Sequence, residues 1–293
     1  MPECHTADAG ALTAPAAEPP ILEIERVGKA FGGIEAVRSL SLHVRQSLIT
    51  SVIGPNGAGK TTLFNLITGV YRPDCGRILF GGPENRRDLI GHRPDYICRL
   101  GIARTFQNVR LFPDLSVADT VKVGLHSQIR SGFWGALLRP PRTRREERAV
   151  RQATHRYLEF CGLAERASRP AASLPYGDRK RLEIARALAS RPVLLLLDEP
   201  AAGLNPRETE SLMALIRQIC AAGTTILLIE HDMRLVMGLS DYVWVMDHGE
   251  LLAHGTSQQV QEDPRVIEAY LGAAAHHGET VATAPQEVDR GAP

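Results

Sequence analysis

Nine consecutive residues, Gly54-Pro55-Asn56-Gly57-Ala58-Gly59-Lys60-Thr61-Thr62, carry the spacing G-x-x-x-x-G-K-[ST]. The chemistry of that spacing is phosphate binding. Glycines let successive backbone N–H groups turn toward phosphate oxygens, and a helix that starts there aims its positive end at the same point. The Lys60 ammonium is then expected to reach the β- and γ-phosphates and the Thr61 hydroxyl to hold Mg²⁺. The pattern needs a strand before it and a helix after it. Leu48 to Ile53 is an apolar run leading in, and Thr61 to Leu66 is a helix-compatible run leading out. A glycine-rich turn with a chance lysine would not bring loop, lysine, hydroxyl and flanks together.

Two further apolar runs end in polar groups. Val193 to Leu197 ends in Asp198-Glu199, and Thr225 to Ile229 ends in Glu230-His231. In a parallel α/β sheet, ligands sit outside the carboxyl ends of the strands. Lys60, Asp198, Glu199 and His231 are therefore expected to converge on one nucleotide. Taken singly, an acid or histidine at a strand end is a capping or surface residue. Two carboxylates directly after five apolar residues are costly to bury without a cation. Mg²⁺ supplies that cation, and polarising a water is the task left for the second acid.

Around these runs, Ile21 to Val27 and Ala36 to Val44 alternate apolar and polar residues, the pattern of antiparallel strands. Lys29-Ala30-Phe31-Gly32-Gly33 reads as the turn between them, with one aromatic. Arg77 to Gly82 reads as a strand and turn, and Ile102 to Phe106 is a short apolar segment ending at Gln107. From about 108 to 190 the pattern is mostly helical. Within it, Arg142, Arg144, Arg145, Arg148 and Arg151 are diluted by Glu146 and Glu147, so they read as the charged start of a helix after a solvated loop. Asp178 to Ala189 has helical spacing and Pro192 stops it. Asn205-Pro206-Arg207-Glu208 is a helix start with cap, first-turn proline and capping-box acid in place, and that helix ends at Gly223. Tyr242 to Met246 and Leu251 to Ala253 flank a hairpin turn, and a last helix covers Pro264 to Leu271.

A chain of 293 residues can bury a substantial core. Lys plus Arg is 34 and Asp plus Glu is 33, so a net charge of +1 offers no footprint for nucleic acid. Five cysteines (Cys4, Cys75, Cys98, Cys161, Cys220) form no CxxC pair and are expected as free thiols in a reducing compartment. No apolar run approaches the roughly 18 residues that span a bilayer, and the N-terminus lacks a signal-peptide pattern. The expected chain is cytoplasmic, and peripheral if it works at a membrane. Residues 1–20 are expected as a disordered lead, 21–272 as the folded domain and 273–293 as a flexible tail.

From Leu22 to Gly272 the chain resembles the ATP-binding subunit of an ABC transporter. Phe31 matches the aromatic that stacks on adenine, and Gly54 to Thr62 matches the Walker A loop. Gln107 matches the Q-loop glutamine, which touches Mg²⁺ or the attacking water. Leu174-Pro175-Tyr176-Gly177-Asp178 stands at the family signature, Asp198 and Glu199 at the Walker B aspartate and the catalytic glutamate. Ala202-Gly203-Leu204-Asn205 stands at the D-loop and His231 at the switch histidine. Two departures stand out. Pro175 replaces the signature serine, leaving backbone donors of Tyr176 and Gly177, and Asn205 replaces the D-loop aspartate. Arg104 to Phe112, Arg181 to Leu188, Asp198 to Asn205, Ile229 to Met233 and Val266 to Gly272 narrow the resemblance to the LivG-type ATPase of branched-chain amino acid importers, with urea-importer ATPases similar.

The resemblance implies an α/β P-loop NTPase of ABC type: a mixed sheet core, an antiparallel β subdomain and an inserted helical subdomain. It implies ATP and Mg²⁺ as cofactors. Its implied partners are a second ATP-binding subunit, of the same or a different chain, integral membrane permease subunits and, indirectly, a solute-binding protein, with no nucleic acid. The implied place is the cytoplasmic face of the inner membrane, held peripherally. The signature residues Tyr176, Gly177 and Asp178 would meet the nucleotide of the partner half-site. The rival class is a soluble ABC ATPase acting on DNA or ribosomes. Such proteins usually carry two ATPase halves or a long coiled-coil insertion, whereas this sequence has one set of motifs and no sustained heptads.

Overall fold

The computed structural model describes the backbone of residues 19–107, 111–125 and 141–277. Most of the expected N-terminal lead, the loop before the Arg-rich helix and the last residues of the tail lie outside it. The phosphate-loop strand β3 (Ile49–Ile53) and the two other apolar runs, β7 (Leu194–Asp198) and β8 (Thr225–Ile229), are wholly buried. With β6 (Ile102–Arg104), β9 (Tyr242–Asp247) and β10 (Glu250–Gly255) they form a sheet ordered β10-β9-β3-β8-β7-β6. Pairing is parallel from β9 through β6, and β10 returns antiparallel on β9. Alternate residues of β7 and β8 face opposite sides. Leu195, Leu197, Ile226 and Leu228 belong to one apolar cluster; Leu194, Leu196, Leu227 and Ile229 belong to another. A strand covered on both faces has no place for a charged group until it ends, so the charged groups of β7 and β8 stand at their carboxyl edge.

A second sheet contains β1 (Leu22–Phe31), β2 (Ile34–Val44), β4 (Cys75–Phe80) and β5 (Arg87–Asp88), ordered β2-β1-β4-β5 and antiparallel throughout. One expectation is corrected here. Lys29, Ala30 and Phe31 are strand, not turn; only Gly32 and Gly33, at φ 54° and 89°, make the reversal. Two consecutive positive-φ glycines give the tight hairpin that suits the strand twist.

Helix α1 (Lys60–Ile67) leaves the phosphate loop, and α2 (Pro94–Arg99) precedes β6. Three helices, α3 (Val117–Leu125), α4 (Pro141–Phe160) and α5 (Tyr176–Ala189), pack together in the helical region. Arg148 and Arg151 are exposed on α4. Next come α6 (Pro206–Ala221), α7 (Met233–Leu239), α8 (Ser257–Glu262) and α9 (Pro264–His277). The last helix runs beyond the expected Leu271. No described helix is long and apolar enough to cross a membrane. Cys98, Cys161 and Cys220 are free, but Cys75 is disulfide-bonded. That overturns the expectation of five free thiols. Spacing along the chain shows only local pairs, so a bond at Cys75 left no mark in it.

Candidate active site

The loop between β3 and α1 is shaped by what its backbone must avoid. At Gly54, φ is 149° and an added Cβ would lie 2.0 Å from the Met246 carbonyl oxygen. At Gly59, φ is 96° and a Cβ would lie 2.2 Å from the Ala36 carbonyl oxygen. Any side chain at either position would drive the loop off β9 or β2. Gly57 differs: a Cβ there meets nothing within 4 Å, so the loop presents open backbone at this point. Pro55, Asn56 and Ala58 complete the turn; Ala58 is buried and its N–H donates to Pro55 O at 3.2 Å. Lys60, Thr61 and Thr62 then form the first residues of α1.

Lys60 is buried, and its Nζ donates to the carbonyl oxygens of Gly54 and Pro55 at 2.7 and 2.8 Å. The ammonium is thereby held inside the arc of the loop. Burial pulls its pKa below the ordinary lysine value, and the charges of Glu199 and Asp198 oppose that shift. Those two carboxylates are close enough to act on it electrostatically, which is the convergence expected of the strand ends.

The acids sit in different settings. Asp198 ends β7, is buried, and accepts from Arg104 Nη2 at 2.7 Å. Arg104, at the end of β6, also donates to Asn65 Oδ1 at 2.7 Å, and its guanidinium lies 5.4 Å from the Phe64 ring centre and 5.3 Å from that of Phe106. Glu199 follows at φ 45°, its N–H donating to Ile229 O at 2.9 Å. Its Oε2 accepts from Gln107 Nε2 at 2.8 Å. His231 Nδ1 lies 3.9 Å from that same oxygen and 3.9 Å from Glu230 Oε2, and the histidine is 57% exposed, open to whatever enters. Glu230 is buried and accepts from Ala201 N at 3.0 Å, tying the end of β8 to the turn after β7. Burial raises its pKa, against the lowering effect of those backbone N–H bonds and of His231.

The other sequence-derived residues lie farther out. Phe31 is 40% exposed at the hairpin and meets Tyr71 edge-on at 5.0 Å. Tyr71 itself had no signal in the sequence beyond being an aromatic after a helix. Pro175 stands just before α5 in extended geometry, and Arg179 N donates to its carbonyl at 3.0 Å. Tyr176 and Gly177 lie beside Gly203 and the start of α6, and Asp178 turns to the segment after α4. A Cβ on Gly203 would lie 3.1 Å from the Tyr176 ring, a Cβ on Gly177 would lie 2.8 Å from Glu208 Oε1, and Asp178 pairs with Arg166 at 2.9 Å. The signature segment therefore presents itself beside Gly203 and α6, not on the strand-end cluster of its own chain.

Sequence reasoning passed over three residues that hold this cluster. Arg104 was legible as a charge within a short apolar run, which demands a buried counter-charge. Lys180 and Glu183, both buried on α5, lie within a run read only for its helical spacing and its resemblance, with no role given to either.

Residues 37–202, more than half of the chain, match the family model described as ABC transporter. The chain belongs to the ABC transporter family. Residues 250–276 match a second model, the branched-chain amino acid ATP-binding cassette transporter. Among curated relatives, the high-affinity branched-chain amino acid transport ATP-binding protein LivG of Salmonella typhimurium is 46% identical over 256 residues, 87% of this chain and 99% of that protein. BraF of Pseudomonas aeruginosa, named for the same transport, is 46% identical over the same shares. The probable LivG of Archaeoglobus fulgidus is 34% identical over 86% of this chain and 96% of its own. A nucleotide-free ATP-binding cassette from an ABC transporter superposes with TM-score 0.74 at 32% identity, covering 86% of this chain and 99% of that one. The ADP conformation of an ATP-binding cassette of an ABC transporter gives TM-score 0.73 at 32% identity, with 87% and 99% covered. The architecture is accordingly the α/β P-loop fold of the ABC cassette.

Proposed function

We propose that this chain is the ATP-hydrolysing subunit that energises an importer of branched-chain amino acids. The observation that carries the ATPase reading is the cluster at one sheet edge: Lys60 within its loop, Asp198 and Glu199 after β7, Gln107 bonded to Glu199, and His231 after β8. The solute is supported by the match over residues 250–276 and by the names that the relatives carry.

The residues present suit ATP and Mg²⁺. Gly57 leaves open backbone where phosphates would lie, and Thr61 and Asp198 offer the hard oxygens that Mg²⁺ prefers. Bound there, Mg²⁺ neutralises charge on the phosphates. In this reading the N–H groups of Gly54 to Thr62 and the Lys60 ammonium hold the phosphates, and Phe31 stacks on the adenine. Glu199 orients the attacking water and takes its proton, Gln107 keeps that carboxylate aimed, and His231 donates toward the γ-phosphate.

Tyr176, Gly177 and Asp178 engage the nucleotide held by a second ATP-binding subunit. Beside Gln107, a groove of about 300 Å³ lined by Val70, Ile97, Ala103, Phe106 and Val123 receives a permease segment. Val70 and Val123 are exposed there. The chain then works peripherally at the inner face of the membrane, and a solute-binding protein delivers cargo on the other side.

The test is uptake of labelled leucine, with urea in parallel, in cells lacking this chain and complemented with wild type or Lys60→Ala. Leucine uptake restored by wild type alone is the expected outcome. Urea uptake alone would move the assignment to a urea importer, and wild-type uptake from Lys60→Ala would refute the ATPase role.

A further inference from the structure

Helix α5 carries two buried ionisable side chains that bond backbone groups of the site, and one of them, Glu183, also pairs with Arg186 Nη2 at 3.5 Å. Lys180, 3% exposed, donates from Nζ to Gln107 O at 2.9 Å and to Glu199 O at 3.3 Å, and its ammonium lies 5.7 Å from the Tyr176 ring centre. One turn on, Glu183, 1% exposed, accepts from Phe106 N at 3.2 Å through Oε1. Residues three apart on a helix share a face, so this face of α5 takes the N–H of Phe106 and gives to the carbonyl of Gln107. The same ammonium also holds the carbonyl of Glu199.

We propose that Lys180 is a positioning residue for hydrolysis: with Glu183 it latches the signature helix to the backbones of Gln107 and Glu199 so that their side chains meet. The geometry is specific. Gln107 and Glu199 come from chain segments 92 residues apart, and their side chains meet at 2.8 Å. A single buried cation gathers both carbonyls, which sets the spacing of the two Cα atoms from which those side chains reach. A buried charge persists only where dipoles compensate it, and here the compensating dipoles are the two carbonyls and the ring face. The latch also makes any displacement of α5, whose first residues are the signature, felt directly at Glu199.

This inference rests on the ATPase reading, but its first readout does not. In the full-length chain, Lys180→Met and the milder Lys180→Gln are expected to raise amide hydrogen exchange at residues 105–107 several-fold, with exchange in β3 and β8 unchanged. Lys180→Arg, which keeps a donor cation, is expected to restore protection. Hydrolysis by the assembled transporter should fall on the order of 10²-fold, the cost of misplacing a catalytic group by about 1 Å, while the KM for ATP stays within about twofold. Unchanged exchange at 105–107 in a folded Lys180→Gln chain would overturn the latch. So would a loss confined to KM. A wild-type transporter without ATP hydrolysis would instead refute the ATPase reading and leave the exchange result to judge the latch by itself.

Discussion

Glu199 sits in the left-handed region at φ 45°, a conformation that costs a side-chain-bearing residue energy and is kept where the surroundings insist on it. The insistence is visible: its N–H is tied to Ile229 O, its carbonyl to Lys180, and its carboxylate to Gln107. The carboxylate is thereby held beside Gln107 and His231 and close enough to act on the Lys60 charge. Replacing it with glutamine keeps shape and hydrogen bonding but removes the carboxylate proposed as the base. Glu199→Gln is expected to lower turnover by at least the 10²- to 10⁴-fold typical of a lost general base while leaving ATP binding intact. Steady-state hydrolysis and equilibrium binding of a fluorescent ATP analogue on the same preparation decide it. Turnover near wild type would remove Glu199 from that role.

Among the elements, α6 shows how a short local pattern becomes a structural joint. Asn205 Oδ1 accepts from Glu208 N at 3.0 Å, and Glu208 Oε2 accepts from Asn205 N at 3.0 Å, with Pro206 at the first helical position. That capping box was fully legible in four residues, because every partner lies within one turn. Its second use was not: the other Glu208 oxygen lies against Gly177, so the start of α6 also braces the start of α5. Asn205→Ala should cost about 1 kcal/mol, seen as a lower urea midpoint at unchanged m-value, whereas Asn205→Asp should cost little. An unshifted midpoint in Asn205→Ala would show the cap to be energetically idle.

At the scale of the whole molecule, the cluster that joins the sheet to the helical region contains Cys161, 1% exposed. Burial pushes its thiol pKa up to about 12, against a smaller lowering by Arg181. Thiolate is the reactive form, so at pH 8 the folded chain should protect Cys161 from iodoacetamide, and labelling should proceed only as fast as the domain opens. Mass-spectrometric labelling rates with increasing urea measure this. Cys161 labelled as fast as an unfolded thiol would mean that the helical region is not packed on the sheet as described.

The sequence by itself determined the pieces whose causes are local or periodic. These are the phosphate loop with its flanking strand and helix, the apolar runs of β7 and β8 with their terminal acids, the cap of α6, and the family to which those motifs belong. It misread Lys29 to Phe31 as a turn, since two glycines next door carried the stronger signal, and it stopped the last helix early. Only the tertiary structure decided what lies between segments far apart in the chain. Arg104 on Asp198, Lys180 on the carbonyls of Gln107 and Glu199, Glu183 on Phe106 N and the bond between Gln107 and Glu199 are all of this kind. The physical reason is that a buried charge chooses its partner by distance in space. A lysine or glutamate on a helix has the same local pattern whether it faces water or a carbonyl brought to it by the fold.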